Sequence, residues 1–440
     1  MGASVTGQRA SLDAIGCQAT TDVHGTGDTT DPATATAMGT AAAAGVEVPS
    51  LHVGPIAVWP PVVLAPMAGI TNAPFRRLCR QFGAGASPPG DGASTATAAR
   101  GGLFVSEMIT ARGLAERNGK TLRLARFADD EPVRSIQLYG TDPHAMGEAV
   151  RFLAGDGRAD HVDLNFGCPV AKVTRKGGGA ALPARRALFR DVVRAAVRGA
   201  AGVPVTVKLR IGIDERITTY LDAGRIAEDE GAAAVALHAR TAAQHYSGGA
   251  DWRAVAALRA AVTSVPVLGN GDIWQASDAR RMMDETGCHG VVVGRGCLGR
   301  PWLFGDLARA FAGRAVPPAP VLEEVVEVLR RHAHLLAEWL TEPVAVRDVR
   351  KHVGWYLHGY PVGPEVRRRL TAAATLAALD AELDRLAAAH PTMAIVPGAD
   401  ARPRGKSSGP IAVTLPDGWL AAADDPSPDV ADDLDAVSGG

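Results

Sequence analysis

Short runs of β-branched and other apolar residues alternate along the middle of the chain with longer stretches that have apolar residues at helical spacing. The runs of strand type cover residues 62–64, 103–105, 133–138, 161–164, 205–209, 235–237, 267–268 and 290–293. The stretches of helical type cover 73–82, 185–198, 217–230, 251–261, 276–286 and 301–312, and another begins at Asp142-Pro143. Strands that alternate with helices predict parallel pairing. Eight such units in about 250 residues favour a closed TIM (β/α)8 barrel over an open doubly wound sheet, which is the alternative on pattern alone.

Composition divides the rest of the chain. Residues 49–318 form the predicted barrel, with a Gly/Ala/Ser-rich insertion at 84–102. Residues 319–391 lack strand signals and have apolar residues at helical spacing over 321–340 and 372–389, which predicts a small all-helical domain. Residues 1–48 and 392–440 contain few large apolar side chains, and from Asp417 onward the only charged residues are aspartates. We therefore expect a disordered N-terminal extension and a disordered acidic tail.

The formal net charge is only −1, so any surface that binds nucleic acid must be local. The predicted helical domain carries such a basic cluster, which consists of Arg347, Arg350, Lys351, His352, Arg367, Arg368 and Arg369. A solvated helix face is the ordinary alternative for a run of charges.

The five cysteines, at positions 17, 79, 168, 288 and 297, include no Cys-x-x-Cys pair. Isolated cysteines argue against a zinc site, an iron–sulfur cluster and a disulfide framework, so we expect no metal. The N-terminus lacks the pattern of a signal peptide, and no apolar run reaches the roughly 18 residues of a membrane span. We expect a soluble, cytoplasmic protein with no membrane partner and no obligate protein partner.

Polar and reactive residues lie where the predicted strands end, and in this fold the active site lies at the C-terminal ends of the strands. These ends carry Glu107, Gln137, Asn165, Cys168, Lys208, Arg210, His238, Arg240, Asn270, Asp272 and Arg295. Taken singly, such residues have ordinary explanations, such as a snorkelling lysine, a hydrogen-bonded core histidine or a small buried thiol. Taken together they predict a ligand, because charge at almost every strand end is costly to bury alone.

The last two strand ends are rich in glycine, with Gly269-Asn270-Gly271 and Gly294-Arg295-Gly296. Glycine lets backbone N–H groups approach an anion closely. Loops after strands seven and eight commonly bind phosphate in this fold. A phosphate there, with Lys208, Gln137 and His238 near the barrel mouth, fits flavin mononucleotide (FMN), because a lysine can stabilise the reduced, anionic ring.

Several motifs, in order along the chain, resemble those of the tRNA-dihydrouridine synthase family. They are APMAGITNAPFR at 65–76, DLNFGCP at 163–169 with Lys172, Val173, Arg175, Lys176 and Gly177, VKLR at 207–210, HART at 238–241, GNGDI at 269–273 and GRG at 294–296. Arg350-Lys351-His352 with Trp355-Tyr356 is similar to the helical domain of the bacterial B-type subgroup. The resemblance covers about residues 50–390, and Asn-x-Gly-Cys-Pro is its most specific part.

The resemblance implies a role for each matching residue. The residues implied to bind the flavin are Pro66, Met67, Ala68, Gln137, Lys208, His238, Asn270, Gly271, Asp272, Gly294 and Arg295. Asn165 and Arg210 would hold the uracil, Cys168 would be the catalytic acid, and NADPH would be the reductant. The residues implied to contact the tRNA backbone are Lys172, Arg175, Arg240, Arg347, Arg350 and Lys351. Ala242 and Ala243 depart from the family, since many members carry a basic residue there.

The chemistry of uracil reduction agrees with these residue types. The C5–C6 double bond is conjugated to the C4 carbonyl, so C6 accepts a hydride from flavin N5 and C5 then takes a proton. A thiol with an ordinary pKa near 8.5 is mostly protonated at neutral pH, so Cys168 can donate that proton. The target uridine must leave its stack to reach the barrel mouth.

Two other functions are compatible with the residues. A flavin barrel that acts on a free pyrimidine, such as a dihydroorotate-type dehydrogenase, would share the flavin residues, although the basic cluster of the helical domain favours RNA. A tRNA-binding or folding module that had kept the fold is the other alternative, and such a module would not need the thiol of Cys168.

Overall fold

The computed structural model describes residues 48–85, 98–405 and 409–427. The strands in these ranges are β1 Leu51–Val53, β2 Ile56–Trp59, β3 Val62–Leu64, β4 Ala98–Arg100, β5 Leu103–Thr110, β6 Ser135–Tyr139, β7 His161–Phe166, β8 Val205–Arg210, β9 Ala234–His238, β10 Val267–Asn270 and β11 Gly290–Val293. Strands β3 and β5 to β11 form one closed barrel, in which every neighbouring pair is parallel. The predicted TIM barrel is confirmed.

Helices follow most barrel strands and cover the outside of the barrel. They are α1 Ala73–Gly83, α2 Ala111–Ala115, α3 Gly119–Leu124, α4 Pro143–Ala154, α5 Ala171–Thr174, α6 Arg186–Gly199, α7 Tyr220–Asp229, α8 Trp252–Ala261, α9 Ala276–Thr286 and α10 Leu303–Phe311. Local sequence explains how α1 and α4 begin, since the side chains of Asn72 and Asp142 accept backbone N–H bonds and a proline follows in the first turn. In the described part of the chain, no helix is both long enough and apolar enough to cross a membrane.

The N-terminal end of the barrel is closed by a small sheet that the sequence pattern did not predict. Strands β1 and β2 form an antiparallel hairpin, and β4 pairs with β2. Leu51 and Ile56 of the hairpin belong to one buried cluster with Val63, Leu268 and Val292 of the barrel strands. Of the predicted insertion at 84–102, residues 98–100 thus form β4, while 86–97 lie outside the described residues.

Strand β5 contains an irregularity that affects the barrel mouth. Its register with β6 shifts between Val105 and Met108. Such a bulge redirects side chains and is common beside active sites. Glu107, within the bulge, accepts a hydrogen bond from the backbone N–H of Gly69, so the end of β5 is joined to the loop after β3.

Four helices follow the barrel and share a core of their own, as the pattern at 319–391 predicts. They are α11 Leu322–Trp339, α12 Glu342–Tyr356, α13 Gly363–Ala372 and α14 Leu376–Ala389. Leu329, Val349 and Leu379 lie in their shared core. The end of α12 packs against the loop after β11, because a Cβ added at Gly299 would lie 2.3 Å from the backbone of Trp355. Close approach at this glycine brings α12 to the barrel mouth.

The tail differs from the expectation of disorder wherever the structure describes it. Trp419 is 1% exposed, and its Nε1 donates to the carbonyl oxygen of Ala181 at 2.9 Å. Arg185 and Asp425 form an ion pair of 3.0 Å. Within residues 409–427, a large aromatic ring thus occupies a buried slot that average composition cannot reveal. Residues 1–47 and 428–440, also expected to be disordered, lie outside the described residues.

Candidate functional site

A cavity of about 470 Å³ lies at the C-terminal end of the barrel. All residues implied to bind a flavin line it, namely Pro66, Met67, Ala68, Gln137, Lys208, His238, Asn270, Gly271, Asp272, Gly294 and Arg295. Asn165, Cys168 and Arg210 line the same cavity. The fold therefore brings the predicted cofactor, uracil and acid residues together, while their individual roles stay predictions.

Sequence reasoning missed several aromatic residues of this cavity. Tyr246, Trp274 and Trp355 also line it. The guanidinium carbon of Arg295 lies 4.3 Å from the centre of the Tyr246 ring and 5.1 Å from that of Trp274. These rings hold the arginine at the cavity wall by cation–π contact. Their closeness in sequence to the HART and GNGDI motifs was a signal for Tyr246 and Trp274, whereas Trp355 comes from α12.

Lys208 lies on β8 inside the cavity wall. Its Nζ donates to Oδ1 of Asn270 at 3.0 Å, and Nδ2 of Asn270 donates to the carbonyl oxygen of Val292 at 2.6 Å. Burial and the nearby charge of Arg210 lower the pKa of Lys208 to about 8, although Asp163 acts in the opposite direction. The lysine still carries a proton at neutral pH, so an anionic ligand would gain a buried positive charge here.

A buried polar network beneath the cavity orients Gln137. Its Nε2 donates to Asp163 at 2.6 Å, and the hydroxyl of Thr206 donates to the other carboxylate oxygen at 2.5 Å. Burial raises the pKa of Asp163 to about 6, against the effect of these hydrogen bonds. His161 also contacts Thr206, at 2.9 Å, and burial lowers its pKa to about 3, so the ring is neutral. Because Asp163 accepts from the amide nitrogen, the network determines how the nitrogen and oxygen of the Gln137 amide are oriented at the cavity.

The turn that carries Cys168 is held by Asn165. Oδ1 of Asn165 accepts hydrogen bonds from the backbone N–H groups of Gly167 at 3.0 Å and Cys168 at 2.9 Å. Its Nδ2 donates to Oε1 of Gln137 at 2.9 Å. Burial raises the pKa of the Cys168 thiol above its ordinary value, although the charge of Arg210 opposes this shift. The thiol therefore keeps its proton at neutral pH, as a proton donor must.

Arg210 is tied to backbone carbonyls around the same turn. Its Nε donates to Gly167 at 2.7 Å, and Nη1 donates to Thr241 at 2.9 Å and His245 at 3.0 Å. Burial lowers its pKa to about 10. Asn165 and Arg210 thus have a positioning task within the protein, and the prediction that they hold a uracil is an additional role.

Arg240, which the resemblance implies to contact the tRNA backbone, has its guanidinium enclosed by protein partners in this structure. Arg240 is 2% exposed, and its Nη2 donates to both carboxylate oxygens of Asp272 at 2.7 and 2.8 Å. The same nitrogen donates to the carbonyl oxygen of Gly248 at 2.7 Å, and Nε donates to that of Ser247 at 3.2 Å. A guanidinium with these partners braces the loop after β9, and the residue lines the cavity wall instead of the outer surface.

The other residues implied to contact tRNA lie outside the cavity. Arg347, Arg350 and Lys351 are exposed on α12, and Arg175 is exposed after α5, near the half-buried Lys172. Nζ of Lys351 lies 3.7 Å from the position that a Cβ on Gly69 would occupy, so this face of α12 borders the barrel mouth.

The second half of the basic cluster is largely neutralised. Arg368 pairs with Glu365 at 2.7 Å, and Arg369 pairs with Glu382 at 3.0 Å. Arg367 donates to the carbonyl oxygen of Leu357 at 2.7 Å. On α12, Lys351 likewise pairs with Asp348, so the exposed arginines of that helix in the basic cluster are Arg347 and Arg350.

Comparison with known proteins agrees with the motifs. The family model described as dihydrouridine synthase (Dus) matches residues 63–391. A protein of Mycobacterium tuberculosis (strain H37Rv) named probable tRNA-dihydrouridine synthase is 54% identical over 379 residues, which is 86% of this chain and 94% of that protein. A protein of Pseudomonas aeruginosa named tRNA-dihydrouridine synthase B is 39% identical over 319 residues, which is 72% of this chain and 90% of that protein. The chain belongs to the dihydrouridine synthase family.

Proposed function

We propose that this protein reduces the C5–C6 bond of a uridine in tRNA, in the cytoplasm, with FMN as its bound cofactor and NADPH as the reductant. One observation carries the proposal. Cys168 presents a thiol, kept protonated by burial, to the same cavity that contains Lys208 and Arg295. The relatives named tRNA-dihydrouridine synthase support the same reaction.

The cavity residues fit FMN. Its volume of about 470 Å³ is in the range of small-molecule and cofactor sites. Gly271 has a φ of +127°, and a Cβ added there would lie 2.7 Å from the Cβ of Ala250. Only glycine fits at this position, and its backbone has no side chain that would keep a ligand away. Arg295 would meet the phosphate, and Lys208 and Gln137 would meet the polar edge of the ring. When bound, the flavin supplies the hydride that C6 of the uracil accepts.

The protein side of the reaction is proton delivery. Addition of a hydride at C6 leaves negative charge on C5 and O4, and Cys168 Sγ donates its proton to C5. The resulting thiolate lies near Arg210, whose charge favours the ionised form until solvent returns a proton. Asn165 keeps the turn in place through both backbone N–H bonds. Hydride and proton together account for the two hydrogens gained by the uridine.

The exposed side of α12 would bind the tRNA backbone. Arg350 and Lys351 come three and four residues after Arg347, so both lie on the same side of the helix as Arg347. That face borders the barrel mouth near Gly69. Arg175, after α5, is exposed as well, and phosphate contacts of such residues would position RNA without reading its sequence.

The test uses tRNA isolated from cells that cannot make dihydrouridine. The protein, NADPH and this tRNA are incubated, and nucleosides are quantified by mass spectrometry. We expect dihydrouridine with the unmodified protein and a loss of about 100-fold or more with Cys168→Ala, because a positioned acid contributes that much. The absorbance of bound flavin is the control that the variant is folded, and NADH in place of NADPH tests the choice of reductant.

Two results would contradict the proposal. Full activity of Cys168→Ala would remove the assigned acid. A protein that reduces free orotate or uracil and leaves tRNA unchanged would favour the free-pyrimidine alternative.

A further inference from the structure

The C-terminal segment crosses the barrel mouth and lies beyond residues 63–391, which the family model matches. Nη1 of Arg404 donates to the carbonyl oxygen of Trp355 at 2.8 Å. Gly405 lines the cavity itself. The backbone N–H of Ile411 donates to the carbonyl oxygen of Ala243 at 2.8 Å, in the loop after β9. The described residues on either side of 406–408 therefore contact loops that surround the candidate active site.

Trp419 ends this path in a slot made by a glycine. A Cβ added at Gly177 would lie 2.1 Å from Cη2 of the Trp419 ring, so no other residue leaves room for the indole. Gly177 has a φ of +75°, which also favours glycine. The indole Nε1 donates to the carbonyl oxygen of Ala181 at 2.9 Å. The ring thus packs on Gly177 and is hydrogen-bonded to Ala181, at the two ends of residues 177–181.

Residues 177–181 also touch Cys168. A Cβ added at Gly179 would lie 2.5 Å from the carbonyl oxygen of Cys168 and 3.1 Å from its Cβ. The backbone N–H of Ala180 donates to the same carbonyl oxygen at 3.0 Å. Residues 177–181 therefore contact both the Trp419 ring and the residue that carries the thiol.

An ion pair holds the chain immediately after the ring. The guanidinium carbon of Arg185 lies 4.8 Å from the centre of the Trp419 ring. The same guanidinium pairs with the carboxylate of Asp425 at 3.0 Å and donates to the carbonyl oxygen of Ser427 at 3.2 Å. Arg185 is 5% exposed, whereas the side chain of Asp425 is 48% exposed, so water reaches the carboxylate side of this ion pair.

We propose that Trp419 is a positioning residue for uridine reduction: it presses residues 177–181 against Cys168 and thereby determines where the thiol points. The inference depends on the proposed function only for the identity of the reaction. The contacts that carry it are independent of any cofactor or tRNA.

The test compares full-length Trp419→Ala with Leu420→Ala, its matched control, because Leu420 is the next residue and is 43% exposed. The first measurement is the rate at which iodoacetamide alkylates Cys168, followed by mass spectrometry of the peptide that contains it. We expect a rise of about tenfold in Trp419→Ala, because a thiol that is no longer held in place is more accessible and ionises more readily. Leu420→Ala should react like the unmodified protein.

The second measurement separates kcat from KM for tRNA. We expect kcat to fall about tenfold in Trp419→Ala, since misplacement of a reacting group by a fraction of an ångström suffices for this. KM for tRNA should stay within about twofold, because a positioning contact adds no binding to the substrate. Trp419→Phe keeps a ring and loses the bond to Ala181, so its values should lie between those of the unmodified protein and Trp419→Ala.

Several results would overturn the inference. They are an unchanged alkylation rate in folded Trp419→Ala, the same change in Leu420→Ala, and a rise in KM with unchanged kcat, which would assign the tail to tRNA binding. If Trp419→Ala does not fold, Trp419→Phe decides, and an alkylation rate equal to that of the unmodified protein rejects the idea. A failure of the proposed function would be seen separately, as unmodified protein that makes no dihydrouridine while alkylation still responds to Trp419.

Discussion

Replacement of Arg240 and Arg347 by glutamine, one at a time, would separate a buried arginine from an exposed one. The sequence predicts a phosphate contact for both. In the structure Arg240 is 2% exposed and pairs with Asp272, whereas Arg347 is exposed on α12. The two variants lose the same charge, so any difference between them reports on position alone.

The expected magnitudes follow from what each substitution leaves behind. Arg240→Gln removes both bonds to the Asp272 carboxylate and the bond to the carbonyl oxygen of Gly248. Breaking a buried pair costs about 3 to 5 kcal/mol of unfolding free energy. The Asp272 side chain is 24% exposed, so water replaces part of the loss, and we expect about 2 to 3 kcal/mol. Arg347→Gln should change stability by less than about 0.5 kcal/mol.

Urea unfolding and the salt dependence of tRNA binding measure the two effects. Arg347→Gln should reduce the slope of log affinity against log salt by about one and leave the urea midpoint unchanged. Arg240→Gln should lower the urea midpoint and the retention of flavin, with the salt slope unchanged. An Arg240→Gln protein with normal stability and a smaller salt slope would refute the reasoning, because the arginine would then be a phosphate contact.

Three further predictions concern buried groups. Burial lowers the pKa of Lys208 from 10.5 to about 8, so between these pH values the unfolded chain binds more protons than the folded one. The free energy of unfolding of the cofactor-free protein should therefore rise with pH across this range. In Lys208→Met the same measurement of unfolding free energy against pH should show no such rise. Gly271→Ala should lower flavin affinity about tenfold or more in a spectroscopic titration, because alanine is strained at a φ of +127° and its Cβ would collide with Ala250. Unchanged affinity would contradict the proposed role of Gly271 in flavin binding. Glu131→Gln should cost about 3 to 5 kcal/mol in urea unfolding, since it leaves Arg76 buried without its carboxylate, and a cost below about 1 kcal/mol would count against this.

The barrel and the place of the site were predictable because they depend on periodicity. A parallel barrel brings all the C-terminal strand ends to one mouth, so polar residues found after separate apolar runs must converge there. Lys208 and Asn270 lie on different strands, 62 residues apart, and are hydrogen-bonded at that mouth. The pattern carries this information without any knowledge of side-chain contacts.

Pairing between distant residues was not predictable from the same pattern. An arginine that follows a strand gives the same sequence pattern whether its side chain contacts RNA or a carboxylate. Asp272, the partner of Arg240, is 32 residues further along the chain. The contacts of the C-terminal tail were not predictable for a related reason. Its average composition predicts disorder, yet one ring at Trp419 fits against Gly177. A lone tryptophan in a segment poor in aromatic residues, together with three consecutive glycines at 177–179, was the available signal.

Burial has opposite consequences for the acids and bases around the cavity, and these consequences suit one chemistry. It raises the pKa of the Cys168 thiol and lowers that of His238, so both are neutral at neutral pH. It lowers the pKa of Lys208 only to about 8, which leaves a positive charge available. The cavity thus combines a neutral proton donor with buried cations. The proposed anionic cofactor would satisfy the cations, and a neutral pyrimidine would then lie beside the thiol without a charge of its own to be desolvated.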